Sequence, residues 1–70
     1  SKSDAEKYYL ARYYAYKKDF NKSLEIFEDL VGRYKIYKEI VEIYSDTLKN
    51  AGKKEEAEKV HEKYKKLLTW

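Results

Sequence analysis

The chain repeats its own pattern, and this repeat restricts the possible folds more than any other feature of the sequence. Ser23 in the first copy corresponds to Ala57 in the second, and we call the spacing between these two residues the repeat interval. At the same interval, residues 52–54 correspond to residues 18–20, Tyr44 to Leu10, Ser45 to Ala11, and Leu48 to Tyr14. Gly52 can adopt the left-handed conformation that ends many helices. A period of about 34 residues predicts two copies of a helical hairpin.

Capping residues and apolar spacing predict four helices. Ser3 and Glu6 fit a capping box at the start of the first helix, and Asp19 can cap the second. Gly32 is placed to end the second helix, and Gly52 the third. Apolar residues at helical spacing are Leu10, Ala11 and Tyr14, then Phe20, Leu24, Phe27, Val31 and Tyr34, then Tyr37, Ile40, Val41, Tyr44, Leu48 and Ala51, and finally Ala57, Val60, Tyr64 and Leu68.

These patterns predict an all-α fold of two antiparallel helical hairpins. We expect one domain over residues 1–70, with repeat one at about 4–37 and repeat two at about 38–70. Tyr14, Tyr44 and Tyr64 fall on the apolar stripes, so we expect them in the core. Tyr8 and Tyr16 fall on another face of the first helix, and we expect the core not to require them.

Length and composition limit the possible functions. Seventy residues make a small domain, and 43% hydrophobic residues with nine tyrosines are too many for intrinsic disorder. The absence of cysteine excludes disulfides and thiolate metal sites. No run approaches the roughly 18 apolar residues that a membrane span needs. We therefore expect no membrane partner, and a cytoplasmic location is the default expectation.

Enzyme chemistry has little support in the sequence. The single histidine, His61, stands at an apolar-stripe position, and Glu58 is the only acidic residue that helical spacing puts on its side. Two ligands do not make a convincing metal site. There is no glycine-rich phosphate loop and no nucleophile motif. We therefore predict no enzyme activity, no catalytic residue, no cofactor and no bound metal.

The repeat resembles the tetratricopeptide repeat, whose pattern is W-x2-L-G-x2-Y, then A-x3-F, then P. The matching residues are Leu10, Ala11, Tyr14, Ser23 and Phe27 in the first copy, and Val41, Tyr44, Ser45, Leu48 and Ala57 in the second. The departures are Lys7 and Lys35 in the first copy, and His61 and Thr69 in the second. The resemblance implies hairpins stacked as a fragment of a right-handed superhelix, with Ala11 beside Ser23 and Ser45 beside Ala57.

The resemblance also implies a concave face, formed by the first and third helices, that receives a peptide or a partner helix. Position by position, this face would consist of Tyr8, Arg12, Ala15 and Tyr16 from repeat one, and Glu42, Asp46, Lys49 and Asn50 from repeat two. Aromatic and arginine side chains are common hot spots of interfaces. The family's chaperone-binding members hold a C-terminal carboxylate with lysines and asparagines, but here Tyr8 and Glu42 occupy matching positions, which argues against an acidic chaperone tail. We predict a protein–protein interaction module or scaffold.

Two other classes of function stay open. The chain could be a terminal or self-associating piece of a longer helical repeat array, because two repeats leave outer helix faces uncovered. The apolar end formed by Leu67, Leu68 and Trp70 leads us to expect a homo-oligomer that pairs through its terminal helices. Lysines interleaved with tyrosines also suit nucleic-acid binding. The net charge of only +3 and the interspersed acids argue against a nucleic-acid partner.

Overall fold

The computed structural model describes residues 2–33 and 37–68, and the regular structure in these two ranges is entirely helical. The four helices are α1 (Asp4–Tyr16), α2 (Phe20–Val31), α3 (Lys38–Asn50) and α4 (Lys54–Leu68). Helix α1 packs against α2, α3 packs against α4, and α2 packs against α3. The fold is therefore all-α, with two stacked helical hairpins, which confirms the predicted fold class.

The second hairpin repeats the first in its helix boundaries. Helix α3 begins and ends exactly one repeat interval after the corresponding ends of α1, and α4 begins one repeat interval after the start of α2. The repeat that the sequence shows is thus also a repeat of the backbone.

The two hairpin turns share one hydrogen-bond pattern. The amide of Asp19 donates to the carbonyl of Tyr14 at 2.9 Å, and the amide of Lys53 donates to the carbonyl of Leu48 at 2.8 Å. At the position before each of these amides the backbone is left-handed, with φ of 62° at Lys18 and 79° at Gly52. This pattern is the Schellman motif, which satisfies the last carbonyls of a helix. The predicted role of Gly52 is confirmed, and Lys18 adopts the same conformation without being a glycine.

The predicted caps are also present. Ser3 and Glu6 form a reciprocal capping box at the start of α1, and the Asp19 side chain accepts from the amide of Lys22 at the start of α2. Gly32 caps the end of α2. These local hydrogen bonds stabilise the helix ends and do not require any contact between the hairpins.

The core lies between the two hairpins. The ring of Phe27 is fully buried, stacks on Tyr44 with centroids 5.8 Å apart, and meets the edge of Tyr8 at 6.4 Å. The other buried hydrophobic residues are Ala11, Leu30, Val31, Val41, Leu48, Ala57 and Tyr64. Phe27 therefore joins side chains from both hairpins.

Small residues occupy the close approach within each hairpin, as predicted. Ser23 is fully buried, and its hydroxyl donates to the carbonyl of Ala11 at 2.7 Å. In the second hairpin Ser45 and Ala57 are both buried. Small side chains at these four positions let the paired backbones approach.

The burial of the tyrosines agrees with the prediction at two positions and differs from it at two others. Tyr44 and Tyr64 are buried as expected, and the Tyr64 hydroxyl donates to the carbonyl of Val31 at 3.1 Å. Tyr14 is only half-buried and is not one of the buried core residues, so the expectation that it lies in the core is wrong. Tyr8 is buried, so the expectation that the core does not require it is wrong.

Some predictions concern residues outside the described part of the chain. These are the apolar positions of Tyr34 and Trp70, the pattern departures at Lys35 and Thr69, and the side chains of Leu67 and Leu68. Across residues 2–33 and 37–68, no helix combines the length and the apolar character that a membrane span requires.

Candidate functional site

Tyr8, the first residue predicted for the partner face, connects the hairpins. Its side chain is 8% exposed, and its hydroxyl donates to the carboxylate of Glu39 at 2.5 Å. Burial raises the pKa of the Tyr8 phenol to about 12, and the hydrogen bond to Glu39 adds to the rise. The ring of Tyr8 packs on Phe27 of its own hairpin, and its hydroxyl reaches Glu39 of the second hairpin, so little of the side chain faces solvent. Its contact with a partner stays a prediction.

The exposed aromatic residues of α1 lie on one side of the helix. Tyr9, Tyr13 and Tyr16 are 64%, 53% and 84% exposed. Their spacing of four and three residues places them on one side of the helix, together with Arg12. We call these four residues the aromatic stripe.

Arg12 links the stripe to the core. Its guanidinium carbon lies 5.5 Å from the ring centroid of Tyr8 and 6.0 Å from that of Tyr9. Both distances are within the range of cation–π contacts. A planar guanidinium held over rings keeps hydrogen-bond donors at its edge, where a partner can reach them.

The sequence prediction names Arg12 and Tyr16, both exposed, and Ala15, which is half-buried. It does not name Tyr9 and Tyr13, which are exposed as well. Their spacing relative to Tyr16 is visible in the sequence, but the spacing does not say which side of α1 stays exposed. The residues were overlooked because the family pattern assigned the contact face to other positions.

The residues predicted on α3 are exposed, and three of them meet in one place. Glu42, Asp46 and Lys49 line an open hollow of about 360 Å³, and Asn50 does not line it. The other lining residues are Lys38, Ser45 and His61, so the hollow lies between α3 and α4. Its acidic and basic side chains are balanced, and within the described ranges no three His, Cys, Asp or Glu residues are grouped so that they could hold a metal ion.

Ser45 is the unusual residue at this hollow. Its side-chain oxygen is buried, and it has no hydrogen-bond partner among the described residues. The matching position in the first hairpin is Ala11, which has no polar side-chain atom to satisfy. A buried hydroxyl without a hydrogen bond lowers stability, because the loss of its contacts with water is not offset.

Comparison with protein-family models, with curated proteins and with solved structures found no match to this chain.

Proposed function

We propose that this chain is a protein-interaction module that binds a peptide or a partner helix along α1. The observation that carries the proposal is the aromatic stripe, in which three exposed tyrosine rings accompany one arginine on a single helix face. Tyrosine and arginine dominate the energetics of many interfaces, because they bury a large area at a low cost in conformational entropy.

The stripe belongs to a firmly held helix. A capping box fixes the start of α1, and the Schellman motif after Tyr16 fixes its end. The Tyr8–Glu39 hydrogen bond ties α1 to α3, and the Ser23 hydroxyl ties it to α2. A rigid helix presents its side chains with little ordering cost on binding, which favours affinity.

The stripe also suggests the chemistry of the partner. Tyrosine rings offer apolar faces with a hydroxyl at the tip, and Arg12 offers a charged donor between them. A peptide with apolar side chains and one carboxylate complements this surface. The residues predicted on α3, Glu42, Asp46, Lys49 and Asn50, would lie beyond it and add polar contacts.

The resemblance to tetratricopeptide repeats supports the same class of function. The repeat interval, the repeated turns and the buried small residues agree with that pattern. Tyr9 and Tyr13 lie outside the positions that the family pattern assigns to the contact face.

A pull-down with a matched control tests the proposal. The triple variant Tyr9→Ala, Tyr13→Ala, Tyr16→Ala removes the stripe and leaves Tyr8 in the core. The control changes Glu55, Lys59 and Glu62 to alanine, which are exposed on α4 at the same spacing. We expect the wild type and the control to capture the same proteins, and the stripe variant to lose them while its circular dichroism is unchanged. Identical capture by all three proteins would contradict the proposal.

A second candidate function is structural: a terminal or self-associating piece of a helical repeat array. The repeated helix boundaries favour it, since repeat proteins extend by adding hairpins in the same register. Sedimentation velocity over a range of concentrations tests the self-associating form, and a single monomeric species at every concentration would contradict it.

A further inference from the structure

The hollow between α3 and α4 continues into a second hollow on the same hairpin. The first has a volume of about 360 Å³ and the second about 340 Å³, and both are lined by Ser45, Lys49 and His61. Ala57, which is fully buried, also lines the second hollow. The buried residues Ser45 and Ala57 form the floor, and the exposed side chains form the walls. We call the two hollows together the α3–α4 groove.

The groove includes positions whose counterparts on the first hairpin are aromatic and buried. Phe27 is fully buried and stacks on Tyr44 of the second hairpin. One repeat interval later its position is occupied by His61, which is exposed and lines the groove. Tyr8 is also buried, and its counterpart in the groove is the exposed Glu42. Desolvating such polar groups against an apolar surface is costly, so the groove favours a charged occupant.

The charges of the groove favour a cation. In the first hollow the acidic and basic side chains are balanced, but the second hollow adds two more carboxylates. The four carboxylates that line the groove are those of Glu42 and Asp46 on α3 and of Glu58 and Glu62 on α4. The amines are those of Lys38 and Lys49, so negative charge is in excess. Within residues 2–33 and 37–68, none of the four carboxylates forms an ion pair or a hydrogen bond.

Ser45 independently indicates a ligand. Its side chain is only 4% exposed, it lines both hollows, and its Oγ has no hydrogen-bond partner among the described residues. In the first hairpin, by contrast, the buried hydroxyl of Ser23 donates to the carbonyl of Ala11 at 2.7 Å. A buried polar atom without a partner is rare in folded proteins and often belongs to a binding site. A donor that enters the groove would supply the missing hydrogen bond of Ser45.

We propose that the α3–α4 groove binds the guanidinium group of an arginine side chain of another protein. A guanidinium is a planar cation with five N–H donors, so it can donate to Ser45 Oγ and to a carboxylate of the wall at the same time. The ammonium of a lysine carries the same charge, but it is more strongly hydrated and lacks the planar arrangement of donors. Arginine therefore fits this combination of a buried acceptor and surrounding carboxylates better than lysine does.

This site is separate from the aromatic stripe. The stripe lies on α1 of the first hairpin, whereas the groove lies between the two helices of the second. An arginine in the groove would add a requirement that the stripe does not impose on a partner. A probe without apolar side chains tests the groove alone, so either proposal can fail without the other.

The probe is the pentapeptide Ala-Ala-Arg-Ala-Ala with both ends blocked, titrated into the isotopically labelled chain at low salt and followed by NMR. We expect saturable shifts of the amides of Ser45, Asp46 and Glu58, with a dissociation constant on the order of 1–10 mM because a single side chain makes the contacts. The absence of saturable shifts at about 50 mM peptide would overturn the proposal.

Two control peptides test the guanidinium itself. Citrulline in place of arginine keeps the shape but removes the charge, and it should weaken binding about tenfold, as expected for a charge-assisted hydrogen bond. Lysine in place of arginine keeps the charge and should weaken binding about threefold. Equal binding of the citrulline peptide would overturn the proposal, and equal binding of the lysine peptide would overturn the preference for arginine.

Ser45→Ala separates a contact with arginine from a structural role. The variant removes a buried hydroxyl without a partner, so it should stabilise the chain in urea unfolding. It should nevertheless weaken binding of the arginine peptide by about fivefold, because the acceptor on the floor is lost. A residue with only a structural role would not raise stability and lower affinity together. Unchanged affinity in Ser45→Ala would overturn the proposal.

A matched pair of charge changes locates the site. Asp46→Asn removes one carboxylate of the groove and should weaken binding about threefold. Glu55→Gln makes the same change of charge at an exposed position of α4 that lines neither hollow, and it should leave binding nearly unchanged. Equal effects of the two variants would overturn the proposal, because they would show attraction to the whole chain and not to the groove.

A second copy of the chain is the competing source of an arginine, since Arg12 is exposed. Sedimentation velocity over a range of concentrations distinguishes the two sources. We expect Asp46→Asn to leave the sedimentation of the chain unchanged. Dimerisation of the wild type that Asp46→Asn abolishes would show that the groove holds a second copy, and it would overturn the assignment to another protein.

Discussion

The hydroxyl of Tyr8 donates a hydrogen bond to the carboxylate of Glu39, across the interface between the hairpins. The two residues are 31 positions apart, and the ring of Tyr8 also packs on Phe27. One side chain thus fills the core and fixes the first turn of α3. The guanidinium of Arg12, in the aromatic stripe, lies over the same ring of Tyr8. The candidate contact surface is therefore in direct contact with the residue that connects the hairpins.

The Tyr8 phenol should make stability fall at alkaline pH. Its pKa is about 12 in the folded chain, above the usual value of about 10 in an unfolded one. A raised folded pKa contributes stability that is complete below pH 10 and is lost as the pH rises to about 12. Urea unfolding at a series of pH values measures this loss.

Tyr8→Phe is the control for that measurement. It should cost about 1 kcal/mol at neutral pH by removing the bond to Glu39. It should also make the decline above pH 10 shallower than in the wild type. An equally steep decline in the variant would show that other groups cause it.

The two hairpin turns predict that mutations at the equivalent positions Lys18 and Gly52 change the stability of the fold in opposite directions. Lys18 has a left-handed backbone that strains a residue with a side chain, so Lys18→Gly should stabilise the fold by about 1 kcal/mol. Gly52→Ala should destabilise it by a similar amount, about 1 kcal/mol. A methyl group at Gly52 would meet no atom within 4 Å, so the cost is backbone strain alone. Thermal unfolding should show shifts of about 4–8 °C in opposite directions.

The turns also show how far the sequence could predict the fold. The interval between Ser23 and Ala57 predicted the register of both hairpins, because the repeat and the capping residues can be identified from the sequence alone. Tyr8 was misplaced because its burial depends on contacts with Phe27 of α2 and Glu39 of α3. That arrangement is a tertiary property, and helical spacing cannot specify it. Tyr9 and Tyr13 were visible in the spacing, but which faces of α1 are covered becomes known only from the packed hairpins.

The two buried serines should respond differently to alanine. Ser23 donates to the carbonyl of Ala11, so Ser23→Ala should destabilise the fold by about 1 kcal/mol. The hydroxyl of Ser45 has no partner among the described residues, so Ser45→Ala should stabilise it by about 1 kcal/mol. Urea unfolding of the two variants decides this. A loss of stability in Ser45→Ala would mean that its hydroxyl is hydrogen-bonded in solution.

Phe27 and His61 occupy the same position in the two hairpins but should differ in their importance. Phe27 is fully buried, and Phe27→Ala should cost about 3–5 kcal/mol, a large share of the stability of a small domain. His61 is exposed, and His61→Ala should cost much less stability than Phe27→Ala. Circular dichroism should show Phe27→Ala partly unfolded at room temperature. Equal effects of the two changes would contradict the assignment of the core.

The most direct test of the contact surface uses peptides selected for binding. A phage-displayed peptide library is selected on the wild-type chain, and each enriched peptide is measured by fluorescence polarisation against three proteins. These are the wild type, the variant with alanine at Tyr9, Tyr13 and Tyr16, and the variant with alanine at Glu55, Lys59 and Glu62. We predict at least tenfold weaker binding to the stripe variant and unchanged binding to the α4 variant. Equal binding to all three proteins would contradict the proposal that the aromatic stripe of α1 is the contact surface.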